Sequence, residues 1–400
     1  MTCTAPPSPR TARRQVAAAV LAQVAFALAV YAPLANVLPR RVLEFTGEEK
    51  APSTLGVVAG MGALVAVVTS IGVGALSDRA VARGGSRRPW VVVGLVLTPV
   101  GLVGVGCSSS VPLLAVSWLV LQFAINCTYC VISAFLPDRV DVADRGRVSA
   151  WFGVGQAVGL LGGFGLVAVE VRPVVVLSAI AVINAVLTTP FLWVVGGRAL
   201  QTRTASVAIR RTPHDGDFGK VWLVRFVATL ANSMATINLF LYLETELRVA
   251  DASTAGAAVL LLVVIGSIPA AVISGRASDR SGMRKKYVVS AIFLMSVAYV
   301  VLALWADFTG VVVAAVVLGV GYGIYLSVDQ ALIVDVLPDG RSVARDLGIV
   351  NLANAGPQVI APVAAAAVLG AGGGYTPLYL SVAVITALGV IPLRAVKAVK

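Results

Sequence analysis

Charge is what this 400-residue chain has least of. Asp, Glu, Lys and Arg make up 12% of it, roughly half the share of an ordinary soluble domain. With 58% apolar residues and a mean hydropathy of +0.92, that scarcity excludes a soluble fold and points to an integral membrane protein. The apolar runs lack a two-residue alternation, which excludes a β-barrel. Histidine occurs once, as His214, and cysteine four times. A lone loop histidine offers neither a metal set nor a general base. Cys127 and Cys130 form a CxxC inside an apolar run with no second pair nearby, so they read as small helix-packing residues. No cofactor, no metal site and no enzyme activity is expected, since no nucleophile–base cluster lies at membrane depth. A Gly-rich Lys-Ser/Thr loop for ATP is missing as well. Acidic residues number 19 against 31 basic ones, a formal net charge of +12. The basic residues fall between apolar runs and read as topology determinants beside an anionic leaflet, not as a nucleic-acid surface.

What is present is twelve apolar runs, centred on 16–38, 54–76, 89–107, 111–136, 148–169, 173–195, 221–243, 253–275, 287–305, 310–336, 347–370 and 374–393. Each is long enough to cross ~30 Å of hydrocarbon. The expected class is an all-α membrane protein of twelve transmembrane helices in two pseudo-symmetric six-helix bundles. The bundles span 16–195 and 220–394. A cytosolic tail of 1–15, a linker of 196–219 and a tail of 395–400 complete the chain. With the N-terminus inside, cytosolic segments carry 25 Lys and Arg and the other side carries 5. That bias places both termini in the cytosol, in a multi-pass protein of the cell (plasma or inner) membrane.

The halves repeat. Gly74, Asp78, Arg79, Arg83, Arg87 and Arg88 form a loop after the second run. Gly275, Asp279, Arg280, Arg284, Lys285 and Lys286 form its weaker copy after the eighth. Asp78 and Asp279 are 201 residues apart, and Leu136-Pro137-Asp138 recurs as Leu337-Pro338-Asp339 at the same offset. Two markers at one offset mean tandem duplication. Gly74 lies one turn before Asp78, which would let a neighbouring helix approach. Asp78 needs a cationic partner, for which Arg139, Arg145 or Arg147 are placed, as Arg341 or Arg345 are for Asp279.

Two six-helix halves, a basic central loop and the doubled Gly-xxx-Asp-Arg signature resemble the Major Facilitator Superfamily. The segments SDRAVARGGSRRPW, AFLPDRVDVADRGRVSAWFG and YLSVDQALIVDVLPDGRSVARDLGIVNLANAGPQ look like its group of sucrose transporters and their relatives. The resemblance implies a monomeric secondary transporter in a lipid bilayer, with the Gly74–Arg88 and Gly275–Arg280 loops bracing a cytoplasmic gate and substrate bound between the halves. Drug-efflux members carry Gly-Pro-x-x-Gly-Gly in the fifth helix. Here Gly159-Leu160-Leu161-Gly162-Gly163 lacks the proline, and Gly155, Gly159 and Gly163 form a packing stripe.

Polar residues inside apolar helices are costly and face a cavity or one another. Gln122, Asn126, Tyr129 and Ser133 share one face of the fourth run. Arg225, Thr229, Asn232, Ser233 and Thr236 share one face of the seventh, and Tyr322, Tyr325 and Asp329 one of the tenth. Gln23, Tyr31 and Asn36 add a weaker face on the first. These are the candidate substrate path for a small molecule. Arg225 lies ~7 Å and Asp329 ~12 Å in from the cytosolic ends of their helices at 1.5 Å per residue, close enough to pair, with Asp335 as a rival. The sequence reading is a proton-coupled transporter of a small polar solute such as a sugar, Asp329 and Arg225 carrying the coupling. Export of a drug or secondary metabolite by proton antiport is the alternative, and sodium remains open as the coupling ion.

Overall fold

A computed structural model describes residues 9–140, 144–167, 172–195, 216–336 and 343–396. All described secondary structure is helical: α1 (Pro9–Ala32), α2 (Leu38–Ala82), α3 (Arg88–Cys107), α4 (Val111–Arg139), α5 (Arg145–Val167), α6 (Pro173–Val195), α7 (Asp217–Ile237), α8 (Ala252–Ser281), α9 (Arg284–Leu304), α10 (Phe308–Val336), α11 (Val343–Val368) and α12 (Tyr375–Leu388). Short π-helical turns extend α1 at Pro33–Val37, α7 at Tyr242–Glu246 and α11 at Leu369–Gly373. Among the described residues, ten stretches are long and apolar enough to cross a membrane. The first runs from Thr11 to Ala82 and takes in two of the sequence runs; Trp151–Val167 is a shorter apolar helix. Large apolar side chains lie bare on the outer faces, Ile71, Ile273 and Leu304 among them, as a hydrocarbon solvent demands.

Local chemistry sets the helix limits. Proline opens α3 and α4, where the missing N–H costs nothing. The Asp251 carboxylate accepts from the Thr254 N–H and caps α8. Asp307 likewise accepts from the Gly310 N–H and from the Trp305 indole ahead of α10, and these bonds, the backbone one foremost, hold its carboxyl below the usual range. Gly84 and Gly282, both at left-handed φ, reverse the chain in the same loop of each half. At the far end, Lys220 and Lys285 donate to the carbonyls of Ala395 and Val396. They supply the cationic cap that the C-terminal end of a helix favours.

One expectation is corrected at the first loop. The sequence reading left 39–53 between two runs, but α2 takes it up as helix and turns sharply at Gly47 (φ 72, ψ 173). Only Gly adopts that conformation freely.

The chain forms two compact units. The first holds Met1–Arg41 and Met61–Thr204, the second Val42–Gly60 and Ala205–Lys400. In the first, α1 packs on α4, α5 and α6, and α3 on α4 and α6. In the second, α7 packs on α10, α11 and α12, and α9 on α10 and α12. Each of these pairings recurs six helices later, so the duplication read from the sequence extends to the packing. It reaches single contacts. A methyl on Gly62 of α2 would strike the Trp118 indole of α4, whereas a methyl on Gly319 of α10 would sit 2.6 Å from the Val263 carbonyl oxygen of α8. Gly62 and Val263, and Trp118 and Gly319, are each 201 residues apart. The contact is one and the same, with the bulky and the small partner exchanged. Close approach at a small residue is what holds helices together in lipid, where burial adds little. Gly319→Leu is therefore expected to push α10 off α8 and to leave little monodisperse protein after detergent extraction. A normal size-exclusion profile for that variant would refute the contact's importance.

The same offset links Gly47 with Arg248, the one described non-glycine residue at positive φ (52°). Its guanidinium holds Glu48 through both carboxylate oxygens, at 2.5 and 2.8 Å. The strained backbone is thus tied to a bidentate ion pair. Arg248→Gly loses the pair but keeps the left-handed turn; Arg248→Ala loses the pair and still bears the strain. Thermal unfolding in detergent is expected to rank the glycine variant above the alanine one, with the wild-type advantage shrinking as salt screens the exposed pair. Equal midpoints for the two variants would count against the strain.

Candidate functional site

In the second unit the site is built around one charged contact. Arg225 on α7 and Asp329 on α10 meet with Nε 2.9 Å from Oδ2, the side chains 5% and 1% exposed. The depths read from the sequence thus bring the two together. Among the described residues Asp329 Oδ1 has no partner in good hydrogen-bond geometry, and the Tyr325 hydroxyl, one turn earlier on the same face, neighbours the carboxylate. Tyr322 stacks on Tyr325 with ring centroids 6.5 Å apart. Asn232 accepts a 3.3 Å hydrogen bond from the Tyr299 hydroxyl of α9. The Thr236 hydroxyl bonds back to the Asn232 carbonyl of its own helix, so its polarity is partly spent locally. Thr236 and Tyr379 border an apolar cavity of about 40 Å³ between α7, α8, α9, α10 and α12, lined also by Val263, Leu302 and Ala315.

The first unit carries the neutral counterpart. Gln122 and Asn126 are buried on α4. Asn126 donates to the Gln122 carbonyl and accepts from the Ser70 hydroxyl of α2. In the second unit Ser327, at the Asn126 offset, exchanges a 2.8 Å bond with Ser274 of α8. Tyr129 stacks on Phe26 of α1, centroids 4.3 Å apart. Gln23 donates to Gln156 of α5, and Gln156 donates in turn to the Tyr31 hydroxyl. Ser133 is exposed and Asn36 buried. Cys127 is buried, and the Cys130 thiol donates to the Ser70 carbonyl.

Sequence reasoning named the faces of α1, α4, α7 and α10 but missed Gln156, Tyr299 and Asn184, whose amide donates to the Ala25 carbonyl. Gln156 stands among the glycines of α5 one residue after Gly155, and a polar side chain in that stripe was the available signal. Gly159 itself abuts the Val24 carbonyl and Gly163 abuts Ala32, so the stripe packs α5 onto α1.

In the loop after α2, Asp78 pairs with Arg87 of its own loop, Nη1 2.7 Å from Oδ1; the side chains of Arg145 and Arg147, expected as partners, are outside the described set. The short turn through Gly84 brings Arg87 back alongside the helix end, and the same Nη1 also donates to Ser77. A methyl at Gly74 meets nothing within 4 Å, so the close approach expected there is not found among the described residues; Gly275 makes an ordinary 3.7 Å contact with Ser327. Arg79 and Arg280 are exposed, and Arg88 lies over the Trp193 ring at 5.6 Å. The side chains of Arg145, Arg147, Asp279, Asp335 and Arg345, and the whole of His214, the 196–215 linker and Arg341, lie outside the described residues.

Residues 221–399 match the model of the Major Facilitator Superfamily. No curated protein matches the chain by sequence. Among solved structures, the crystal structure of a peptide transporter, POT, in complex with sulfate superposes with a TM-score of 0.73 at 12% identity, covering 96% of this chain and 94% of that one. A bacterial homologue of the human lysosomal transporter Spinster, in an inward-facing and occupied conformation, gives 0.68 at 12% identity, covering 98% and 96%. At such identity the likeness carries the fold alone. The chain is an all-α, multi-pass membrane protein with the fold of these transporters.

Proposed function

We propose that this chain is a secondary active transporter of the Major Facilitator Superfamily. It works by alternating access, couples to protons, and moves a small polar organic solute of the hydroxyl-rich, sugar-like kind. The observation that carries the reading is the buried Arg225–Asp329 pair. Ionisable groups at membrane depth are expensive and mark ion or substrate pathways, and an acid paired with one arginine nitrogen can exchange that partner for a proton. Asp329 is the proton carrier and Arg225 its counter-charge. Gln122, Asn126, Tyr129, Asn232, Thr236, Tyr322 and Tyr325 line the substrate path, where amides and hydroxyls replace a solute's hydration shell. The loop residues Gly74, Asp78, Arg79, Arg87 and Arg88, with Gly275, Asp279 and Arg280, brace the cytoplasmic gate. The Asp78–Arg87 ion pair supports that role in the first half. The protein works as a monomer in the cell membrane with both termini cytosolic, an orientation supported by the 25-to-5 distribution of Lys and Arg.

The test is flux in proteoliposomes under an imposed pH gradient, against a panel of sugars, sugar acids and amphipathic drugs. Uptake driven by an inward proton gradient is the expected result. Drug movement against the proton flow would make the protein an exporter. A requirement for sodium in place of the gradient would remove the proton.

A further inference from the structure

We infer that the solute carried with the proton is an anion, whose carboxylate takes the place of Asp329 on Arg225. The inference rests on the proton-coupling reading above and adds the charge of the substrate to it.

Arg225 and Asp329 are both buried; the other buried charged residue among those described is Asp217, which pairs with Lys220 at the start of α7. Arginine stays charged under all accessible conditions. Once Asp329 takes a proton, the guanidinium of Arg225 is left without its counter-ion in a site that excludes water. A single uncompensated buried charge is among the most unfavourable states a protein interior holds. The proton therefore loads in step with something that restores the negative charge.

The surroundings supply no such group among the described residues. On α10 the neighbours of Asp329 are Tyr322 and Tyr325. On α9 Tyr299 is bonded to Asn232, and on α8 Ser274 is bonded to Ser327. Asp335, nearer the cytosolic end of α10, has a side chain outside the described set. A neutral sugar would leave the loaded site at one net positive charge. An anion would leave it at zero, as it is when empty. Passing through the membrane at zero net charge in both directions avoids the cost of moving an unpaired ion through a low dielectric.

The local geometry fits the exchange. Arg225 meets Asp329 through Nε on one carboxylate oxygen, and a guanidinium is suited to a second carboxylate by its planar fork of donors. The Tyr325 hydroxyl, one turn before Asp329 and neighbouring its carboxylate, can both donate and accept. It is placed to hold the neutral carboxyl once Asp329 leaves Arg225. The proton enters on Asp329 from one side and leaves from it on the other; the anion enters and leaves on Arg225.

The experiment uses wild-type protein in proteoliposomes with four labelled probes: D-glucuronate, D-gluconate, D-glucose and sucrose. The expected result is that an inward proton gradient stimulates uptake of the acids and not of the neutral sugars. One proton and one monovalent anion carry no net charge, so a potassium diffusion potential set with valinomycin leaves the rate unchanged. Arg225→Lys keeps the charge that Asp329 needs while losing the fork. It is expected to raise KM for the transported acid roughly tenfold with little change in kcat. Gradient-stimulated uptake confined to the neutral sugars, and accelerated by a negative interior, would overturn the anion while leaving proton coupling intact. Uptake of the acids indifferent to the pH gradient would instead overturn proton coupling itself.

Discussion

Arg225→Met is expected to be the most destabilising single change in the chain, costing about 3–5 kcal/mol because it strands a buried carboxylate. Asp329 is 1% exposed on its side chain, and its ion-pair partner is the Arg225 guanidinium at 2.9 Å. Methionine keeps much of the aliphatic volume, so the loss reports charge rather than a cavity. The control is the double variant Arg225→Met/Asp329→Leu. Removing both charges together is often neutral or stabilising, since neither ion then has to be desolvated. The pair is read by thermal unfolding in detergent, followed through intrinsic tryptophan fluorescence. A single variant as stable as wild type would mean that the carboxylate finds other partners. A double variant as unstable as the single one would mean that packing, and not charge, is what Arg225 contributes. A pair kept for stability alone is the rival reading, and recovery in the double variant argues against it.

How far the sequence reaches depends on what a helix period can encode. Apolar runs report which segments lie in lipid, and among the described residues these segments are helical. The 201-residue offset reports duplication, and through it the repeated pairing of helices. Depth along a helix is also legible, since rise per residue is fixed; that is why Arg225 and Asp329 could be matched before their contact was seen. The neighbour across a contact is another matter. Period 3.6 gives the face of one helix and not the helix that faces it. Gln23 was visible on α1, but nothing in α1 announces Gln156 as its partner. Asn232 was visible on α7, while Tyr299 sits in an apolar run as an ordinary aromatic residue. The exchange of small and large residues between Gly62–Trp118 and Val263–Gly319 likewise hides the repeat from a residue-by-residue comparison, because it is the sum of the two side chains that packing holds constant. The break in α2 was hidden by a different cause. The residues around Gly47 are charged enough to read as a loop, and only the backbone angle shows a helix resuming on either side.

The second large effect is expected in transport. Asp329→Asn keeps the size and hydrogen-bonding capacity of the side chain and removes its proton chemistry. In wild-type proteoliposomes one co-transported proton can sustain about tenfold accumulation of a monovalent acid per pH unit, since one unit is worth about 1.4 kcal/mol per proton. In Asp329→Asn the ceiling falls to no accumulation at any gradient. Exchange of labelled for unlabelled solute across the same membrane is expected to persist. The asparagine imitates the neutral acid and leaves Arg225 permanently open to a substrate carboxylate, so the solute binds and crosses without waiting for a proton. Loss of accumulation with retention of exchange separates coupling from folding, because an unfolded carrier performs neither. If gradient-driven accumulation survived in Asp329→Asn, the proton would have to travel on another group. Asp335, six residues along the same helix, would then be the first to replace.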